Sequence, residues 1–322
     1  MGDVAMTVPI IRLVIAQHPK LKISILTKPA YVEIFREFTR ANIIALDKKK
    51  YKGLLGLIKL FNELRALDID SVIDLHNVLR TKFLKVLWGN NFYQIKNGRA
   101  EKKQLVNGKI FYQLKSTHQR YLETFNCLGL NLSLSYHKFP QKKDRNKLKL
   151  IGSNNLTSKI IGIAPFAKHK AKTYSLEKTS RLIERLSINN TILLFGGGAE
   201  EIAKLDEISK NNKNTINLAQ GLSFSSQLDY ISTLDLMISM DSANGHLAAM
   251  YGVKVLTIWG VTHPYAGFTP FSQPITNSVT VDRNEFPKIP TSIYGDKCPN
   301  EYQNAIDSID VEDILKKAEE IC

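Results

Sequence analysis

The sequence predicts an α/β fold built from two doubly wound, Rossmann-like domains. Short apolar runs alternate with helical patterns, in which residues such as Leu54, Leu57 and Ile58 recur at spacings of three and four. A basic stretch from about residue 96 to residue 150 interrupts this alternation, which then restarts and continues to the carboxyl terminus. Two successive arrays of this kind predict one domain over residues 1–150 and a second over residues 151–322, with a cleft between them.

The apolar runs are short enough to be buried strands. They lie at residues 21–27, 42–46, 71–75 and 92–95 in the first array, and at 159–165, 191–195, 215–218, 234–239 and 253–259 in the second. The final segment, in which Val311, Ile314, Leu315 and Ala318 share one face, is predicted to be an amphipathic helix. Residues 141–147 are rich in lysine and other polar residues and predict a linker.

Composition limits the classes of protein to be considered. A chain of 322 residues with 43% hydrophobic content can bury two ordinary cores. Cys127, Cys298 and Cys322 are far apart and show no metal-ligand spacing, which favours a reduced, cytosolic protein. No apolar run reaches membrane-spanning length and no signal peptide is visible. The formal net charge of +14 favours an anionic partner, either a nucleic acid, a membrane surface or a phosphorylated substrate.

The most informative stretch runs from residue 240 to residue 264. One apolar run ends in Asp-Ser-Ala at 241–243, a small polar turn that opens a short helix containing His246. A second apolar run ends in Gly-Val-Thr-His-Pro at 260–264. Two neighbouring strands are therefore expected to finish beside a helix N-terminus, where α/β proteins hold phosphates. The glycine-rich turn at 195–199 lacks the full Gly-x-Gly-x-x-Gly pattern and is only weak support for NAD binding.

Cationic side chains follow several of the predicted strands. The loop at 165–175 carries four cationic or titratable side chains, a composition that suits a departing diphosphate. Two further basic segments follow the strands at 71–75 and 92–95, and arginine in particular suits bidentate contact with phosphate. Each of these segments also fits a solvated loop on a basic protein.

The stretch at 240–264 and the opening Met-Gly-Asp-Val-Ala-Met-Thr-Val-Pro at 1–9 together resemble glycosyltransferase family 9, the ADP-heptose:lipopolysaccharide heptosyltransferases. The resemblance implies the GT-B architecture and an inverting, metal-independent transfer of a heptose or related sugar from an ADP-sugar to a lipopolysaccharide inner-core acceptor. It implies that Asp3 is the general base for the acceptor hydroxyl and that Lys172 neutralises the leaving ADP.

The same resemblance implies the residues that bind each substrate. For the donor they are Lys168, Lys170, Gly197, Asp241, Ser242, Ala243, His246 and Thr262, with Pro264 shaping the far wall. For the acceptor they are His76, Arg80, Arg99 and Lys102. Asp3 and Asp241 also fit helix N-caps, since aspartate is a preferred residue there. The pattern departs from the family at Ala243, where glycine is usual and φ must stay negative, and after Lys172, which leaves Lys168 and Lys170 as alternatives.

No metal and no cofactor are expected besides the sugar-nucleotide substrate. Asp68 and Asp70 spell the Asp-x-Asp pattern of metal-dependent glycosyltransferases, but they precede a predicted strand and would lie at the wrong sheet edge. The expected partners are the nucleotide sugar, the lipopolysaccharide core or lipid A acceptor, and the anionic inner face of the inner membrane. The protein is expected to be a cytoplasmic, peripheral membrane monomer that binds no nucleic acid.

The amino terminus differs from the family pattern. Family members open with a buried strand that leads into the Gly-Asp turn, whereas this sequence begins inside that turn. We therefore expect the first sheet to lack a central strand, through a misassigned start or a truncated gene product, and to have two unpaired edges. Three alternatives stay open, namely a GT-B nucleotide-sugar epimerase, a basic nucleic-acid-binding protein and an inactive truncated remnant.

Overall fold

The computed structural model describes residues 1–145, 148 and 159–322, and the chain forms two compact units. The first unit contains Met1, Asp3–Gly98 and Lys115–Lys138; the second contains Gly2, Arg99–Leu114 and Phe139–Cys322. The boundary predicted at residue 150 lies outside the described residues. Residues 99–114, which the sequence assigns to the first domain, belong to the second unit because Leu105 and Leu114 pack against Ala266.

The helices and strands alternate along both units. The helices are α1 (Gly2–Ala5), α2 (Val8–Gln17), α3 (Gly53–Arg65), α4 (Leu79–Trp88), α5 (Arg99–Val106), α6 (Thr117–Asn126), α7 (Leu176–Ser187), α8 (Ala199–Asn211), α9 (Phe224–Ser232), α10 (Ala243–Ala249) and α11 (Val311–Ile321). The strands are β1 (Ser24–Thr27), β2 (Asn42–Ala45), β3 (Val72–Asp74), β4 (Phe92–Gln94), β5 (Lys159–Ala164), β6 (Asn190–Leu194), β7 (Thr215–Asn217), β8 (Leu236–Met240), β9 (Lys254–Trp259) and β10 (Ser278–Thr280). None of the helices in the described ranges is long and apolar enough to cross a membrane.

The strands of the first unit form two separate parallel pairs. β1 pairs with β2, so that Ser24 lies opposite Asn42, and β3 pairs with β4, so that Val72 lies opposite Phe92. Among the described residues no strand joins β1 to β3. The apolar Leu26 of β1 is 38% exposed, which is unusual for a strand of a parallel sheet, since such strands are normally covered on both faces. That a central strand is lacking stays a prediction.

The second unit contains one continuous parallel sheet of six strands in the order β10-β9-β8-β5-β6-β7. The chain moves outward from β5 to β6 and β7, then crosses to the other side of β5 to form β8, β9 and β10. The switch point of this doubly wound sheet therefore lies between β5 and β8, where open α/β sheets bind ligands. The side chains of β8 are buried throughout, as are all those of β9 except Lys254.

Two features of the second unit differ from the sequence prediction. The edge strand β10 was not predicted, because its three residues, Ser-Val-Thr, are short and half-buried and show no apolar run. Part of the predicted linker at 141–147 is anchored to this unit. Arg145 donates to the Thr233 carbonyl at 2.8 Å and pairs with the Asp235 carboxylate at 2.6 Å.

Candidate functional site

Three predicted donor-site residues meet at the carboxyl edge of the six-stranded sheet. The Asp241 Oδ2 atom accepts hydrogen bonds from Lys172 Nζ at 3.0 Å and from Thr262 Oγ1 at 2.8 Å. The Lys172 ammonium also donates to the Asp241 carbonyl oxygen at 2.7 Å. These residues follow β5, β8 and β9, which are neighbouring parallel strands, so their loops leave the sheet side by side at the switch point.

The loop that carries Lys172 is held by side-chain and backbone contacts at both ends. The Thr173 hydroxyl accepts from the Ala167 N–H at 3.2 Å, and the Ser175 N–H donates to the Asp307 carboxylate at 2.8 Å. The buried Tyr174 hydroxyl donates to the Ile309 carbonyl at 2.8 Å. Burial raises the pKa of Tyr174, which keeps this donor protonated. The loop is therefore fixed before any ligand binds.

The Lys172 side chain packs against Gly295, where a side chain would clash with it. Gly295 has a φ of +80°, and a Cβ atom built on it would lie 2.6 Å from Lys172 Cδ. The Gly295 N–H donates to the buried Ser292 hydroxyl at 2.9 Å, which holds this turn against the lysine stem. The backbone of Gly295 thus forms one wall of the lysine channel, and a larger residue there would move Lys172.

Burial distinguishes Lys172 from its two alternatives. Lys172 is 8% exposed, whereas Lys168 and Lys170 of the same loop are exposed. A buried ammonium requires compensating acceptors, and the carboxylate and carbonyl oxygens of Asp241 supply them. The sequence left the three lysines as alternatives, and the structure brings only Lys172 to Asp241 within the described residues.

Asp241 does not cap α10, contrary to the alternative raised by its sequence position. Its carboxylate faces Lys172 and Thr262, and the N-cap residue is Ser242. The Ser242 hydroxyl is buried and makes no hydrogen bond to any described residue, an arrangement that suits a ligand contact. Ala243 is the first residue of α10 and has helical, negative φ, so the alanine is tolerated where glycine is usual.

The helix α10 packs closely on the sheet and buries His246. A Cβ atom on Gly245 would lie 2.6 Å from the hydroxyl of Ser239 in β8, so glycine allows this approach. His246 is 8% exposed and lies in the middle of α10. The predicted donor residue Gly197 lies in the exposed turn after β6, where its N–H donates to the Glu201 carboxylate at 2.8 Å.

An aromatic cluster that the sequence did not predict lies next to Thr262. The rings of Phe111, His263 and Tyr265 pack with centroids 4.5 to 4.9 Å apart, and the Arg283 guanidinium lies 3.5 Å from the Phe111 centroid. Burial, together with the nearby Arg283 charge, lowers the pKa of His263 to about 4. Its imidazole is therefore neutral at pH 7, and Nδ1 accepts from the Tyr265 N–H at 3.2 Å.

The remaining basic residues are divided between the two units. His76 and Arg80 are both exposed; His76 lies in the loop after β3, and Arg80 lies in the first turn of α4. The buried Asp74 orders this loop, because its carboxylate accepts from the N–H groups of His76 and Asn77 at 3.0 and 3.1 Å. Arg99 and Lys102 lie on α5 of the second unit. Lys102 is not on an exposed loop as expected, because its ammonium is buried 4.1 Å from the Phe268 ring centroid.

The predicted general base lies in the first unit. Asp3 is exposed and lies inside the single turn of α1, so it is not an N-cap; the helix begins one residue earlier, at Gly2. Its backbone carbonyl accepts from the Tyr121 hydroxyl at 3.3 Å, which ties this turn to α6. Within the described part of the chain its carboxylate has no hydrogen-bond or ion-pair partner, so it is available to a ligand.

A family model described as glycosyltransferase family 9 (heptosyltransferase) matches residues 57–300. Lipopolysaccharide heptosyltransferase 3 of Escherichia coli K12 is 26% identical over 311 residues, which cover 90% of this chain and 87% of that protein. Lipooligosaccharide heptosyltransferase 2 of Campylobacter jejuni is 25% identical over 303 residues, which cover 89% of this chain and 85% of that protein.

Solved structures show the same fold. A family 9 glycosyltransferase from Veillonella parvula has a TM-score of 0.74 at 14% identity, covering 100% of this chain and 94% of that one. The E. coli heptosyltransferase WaaC with ADP has a TM-score of 0.69 at 16% identity, covering 100% and 97%. The dodecameric, iron-containing glycosyltransferase TibC of E. coli is more distant, with a TM-score of 0.53 at 10% identity over 100% of this chain and 73% of that one.

Proposed function

The chain belongs to glycosyltransferase family 9, and from that premise we propose that it transfers a heptose from an ADP-sugar to a lipopolysaccharide inner-core acceptor without a metal ion. Its fold is the GT-B glycosyltransferase fold. The observation that carries the proposal is the Lys172–Asp241–Thr262 group at the switch point of the second unit. It presents a fixed cation where doubly wound sheets bind nucleotides.

Lys172 suits the departure of a nucleoside diphosphate. As the bond from the anomeric carbon to the phosphate oxygen breaks, its electron pair stays on the oxygen and the diphosphate gains negative charge. A preorganised cation stabilises that charge in the transition state without reorganising, because Asp241 already holds it in place. We assign the contacts with the rest of the donor to Ser242, His246 and Thr262, and the nearby turn of Gly197 to the nucleotide.

The acceptor step needs a base. The attacking sugar hydroxyl loses a proton as its oxygen bonds to the anomeric carbon, on the face opposite the departing ADP, so the configuration inverts. We assign this proton to the exposed carboxylate of Asp3, because a free carboxylate accepts a proton without first breaking another contact. His76, Arg80 and Arg99 are assigned to the acidic groups of the acceptor, and the enzyme is proposed to work at the anionic inner face of the inner membrane.

The test is a product assay with purified protein, ADP-heptose and a heptose-deficient lipopolysaccharide core. We expect equal amounts of ADP and heptosylated acceptor in EDTA, with no increase on adding magnesium or iron(II). The iron arm is included because TibC, a structural neighbour, contains iron. Activity that appears only with a metal would contradict the metal-free mechanism. Interconversion of the free nucleotide sugar without acceptor would show an epimerase instead.

A further inference from the structure

The first unit exposes a concentration of large apolar side chains on α3 and α4. The side chains are Leu54, Leu55 and Ile58 of α3 and Leu79 and Val86 of α4, and we call them the α3–α4 face. Leu55 is 82% exposed, Leu79 is 86% exposed and Val86 is 80% exposed. Single exposed leucines are ordinary on protein surfaces, but five large apolar side chains exposed on two helices that pack together indicate an interaction surface.

This exposure does not come from a loosely packed pair of helices. α3 and α4 have inward faces that bury Leu60 and Leu84 against Phe92 of β4. A Cβ atom on Gly56 would lie 2.8 Å from the Tyr51 Cα atom, so the preceding turn is folded closely onto the start of α3. The exposed residues therefore stand on an ordered support and point away from the core that the two helices already share.

Basic residues are frequent in the segments that carry the exposed apolar residues. Residues 48–59 contain five lysines, of which Lys50 pairs with Glu63 of α3 at 3.0 Å, and α4 contains Arg80, Lys82 and Lys85 and no acidic residue. The neighbouring Lys28 and, less strongly, Arg80 lower the pKa of Lys48, as expected where positive charges crowd together. Leucine beside clustered lysine on a helix face is the composition of elements that lie in the interface of an anionic bilayer.

We propose that the α3–α4 face is a docking surface for an anionic phospholipid bilayer. Leu54, Leu55 and Ile58 enter the boundary between headgroups and acyl chains, and the lysines of these segments contact lipid phosphates. A second copy of this chain is a poorer occupant, because its own face carries the same positive charge and would repel the first. The proposal rests on the proposed function only for its purpose, which is to hold the enzyme where a lipid-anchored acceptor lies.

The test is co-sedimentation of the whole protein with vesicles of phosphatidylglycerol and phosphatidylethanolamine, compared with vesicles of phosphatidylcholine. We expect binding to the anionic vesicles that weakens as salt is raised. Lys49→Gln/Lys52→Gln should weaken it about fivefold for each lysine removed. Leu54→Gln/Leu55→Gln should weaken it by about tenfold or more. Brominated lipid should quench the fluorescence of Trp88, which lies at the end of α4, but not the fluorescence of the buried Trp259.

Matched variants in the second unit provide the control. Lys210→Gln/Lys213→Gln removes two exposed lysines, and Ile188→Gln removes an apolar side chain that is 68% exposed. These should bind anionic vesicles like the wild type, and every variant should transfer sugar normally to a delipidated core oligosaccharide. That soluble assay separates a failure of docking from a failure of the proposed reaction.

Two results would overturn the docking proposal. One is that the wild type does not bind anionic vesicles, or that the variants of the α3–α4 face bind them as well as the control variants of the second unit do. The other is concentration-dependent self-association that Leu54→Gln/Leu55→Gln abolishes, since it would make this face a protein interface.

Discussion

The two units share an alternation of strands and helices but differ in how their described strands pair. The second unit has one continuous six-stranded sheet, and the group around Asp241 is already hydrogen-bonded at its edge. The first unit has two separate two-stranded pairs, and its candidate residues Asp3, His76 and Arg80 are exposed. The continuous sheet therefore carries candidate residues that are already hydrogen-bonded to one another, whereas the separate strand pairs carry candidate residues that are exposed to solvent.

The largest expected effect tests whether the first unit supplies the base. Asp3→Asn should lower kcat about 10²- to 10⁴-fold, because asparagine cannot accept the proton of the acceptor hydroxyl. The affinity for ADP should be nearly unchanged, since the base acts on the acceptor. Steady-state kinetics with Asp70→Asn as the matched exposed control measures both. Turnover equal to that of the control would remove Asp3 from the mechanism.

Lys172→Gln tests the preorganised cation of the second unit. We expect kcat to fall about 10²- to 10³-fold, the range for loss of one preorganised transition-state contact. Lys210→Gln, an exposed lysine in the same unit, should leave turnover unchanged. Lys170→Gln decides between the alternatives in the loop, because its loss should matter much less than that of Lys172. The reverse order of the two effects would transfer the role to Lys170.

Adding a strand ahead of Met1 tests the prediction that the sheet of the first unit lacks a central strand. An apolar five-residue strand fused ahead of Met1 should pair with an open edge of β1 or β3. If two of its side chains become buried, the first unit should gain about 3 kcal/mol or more in the free energy of unfolding. A matched fusion with proline at the centre of the strand should not, because proline removes a ladder hydrogen bond. Thermal unfolding of both fusions measures the difference, and equal midpoints would show that no central strand is needed.

Acid sensitivity compares the half-buried His137 of the first unit with the buried His263 of the second. Burial lowers the pKa of both His137 and His263 to about 4, with Arg12 and Arg283 adding positive charge nearby. Between about pH 6.5 and pH 4 the unfolded chain binds a proton that the folded chain excludes, so stability falls as pH falls. For the more buried His263 this loss amounts to about 3 kcal/mol at most. In denaturant titrations, His263→Gln should reduce the dependence of the second unit's free energy of unfolding on pH. An unchanged pH dependence would contradict the lowered pKa of His263.

The smallest effect concerns the wall of the lysine channel. Gly295→Ala places a methyl group against Lys172 Cδ and disfavours the positive φ of this turn, so we expect kcat to fall by about tenfold. Gly221→Ala also disfavours a positive φ, but meets open space, and is the matched control. If both variants lower stability equally and neither lowers kcat, Gly295 has only a structural role.

Much of this architecture was predictable, for physical reasons that also explain what was missed. Strands such as β8 and β9 are buried on both faces and therefore read as apolar runs, whereas the half-buried edge strand β10 has no such signal. The position of α5 in the second unit was not predictable locally, because it depends on Leu105 meeting Ala266, a residue distant in sequence.

In the candidate site, too, some features could be predicted from the sequence and others depend on contacts between distant residues. Asp241 and Thr262 were expected to lie together because they follow neighbouring strands, and parallel strands place their carboxyl ends at one edge. Their assignment to the donor came from the family resemblance. The resemblance favoured Lys172 but left Lys168 and Lys170 as alternatives, because the burial that distinguishes Lys172 depends on contacts such as the Gly295 turn, which is more than 100 residues away. The sequence also misjudged the N-cap alternatives for Asp3 and Asp241, since a cap depends on where the helix begins.

Calorimetric titration of ADP into the wild type and Lys172→Gln, both in EDTA, tests most directly whether the group around Asp241 is the donor site. The wild type should bind ADP with a stoichiometry of one and without a metal ion. Lys172→Gln should bind about tenfold more weakly or worse, because it loses a charge-assisted contact with the diphosphate. Equal ADP affinity in the two proteins, or binding by the wild type only after magnesium is added, would contradict the account.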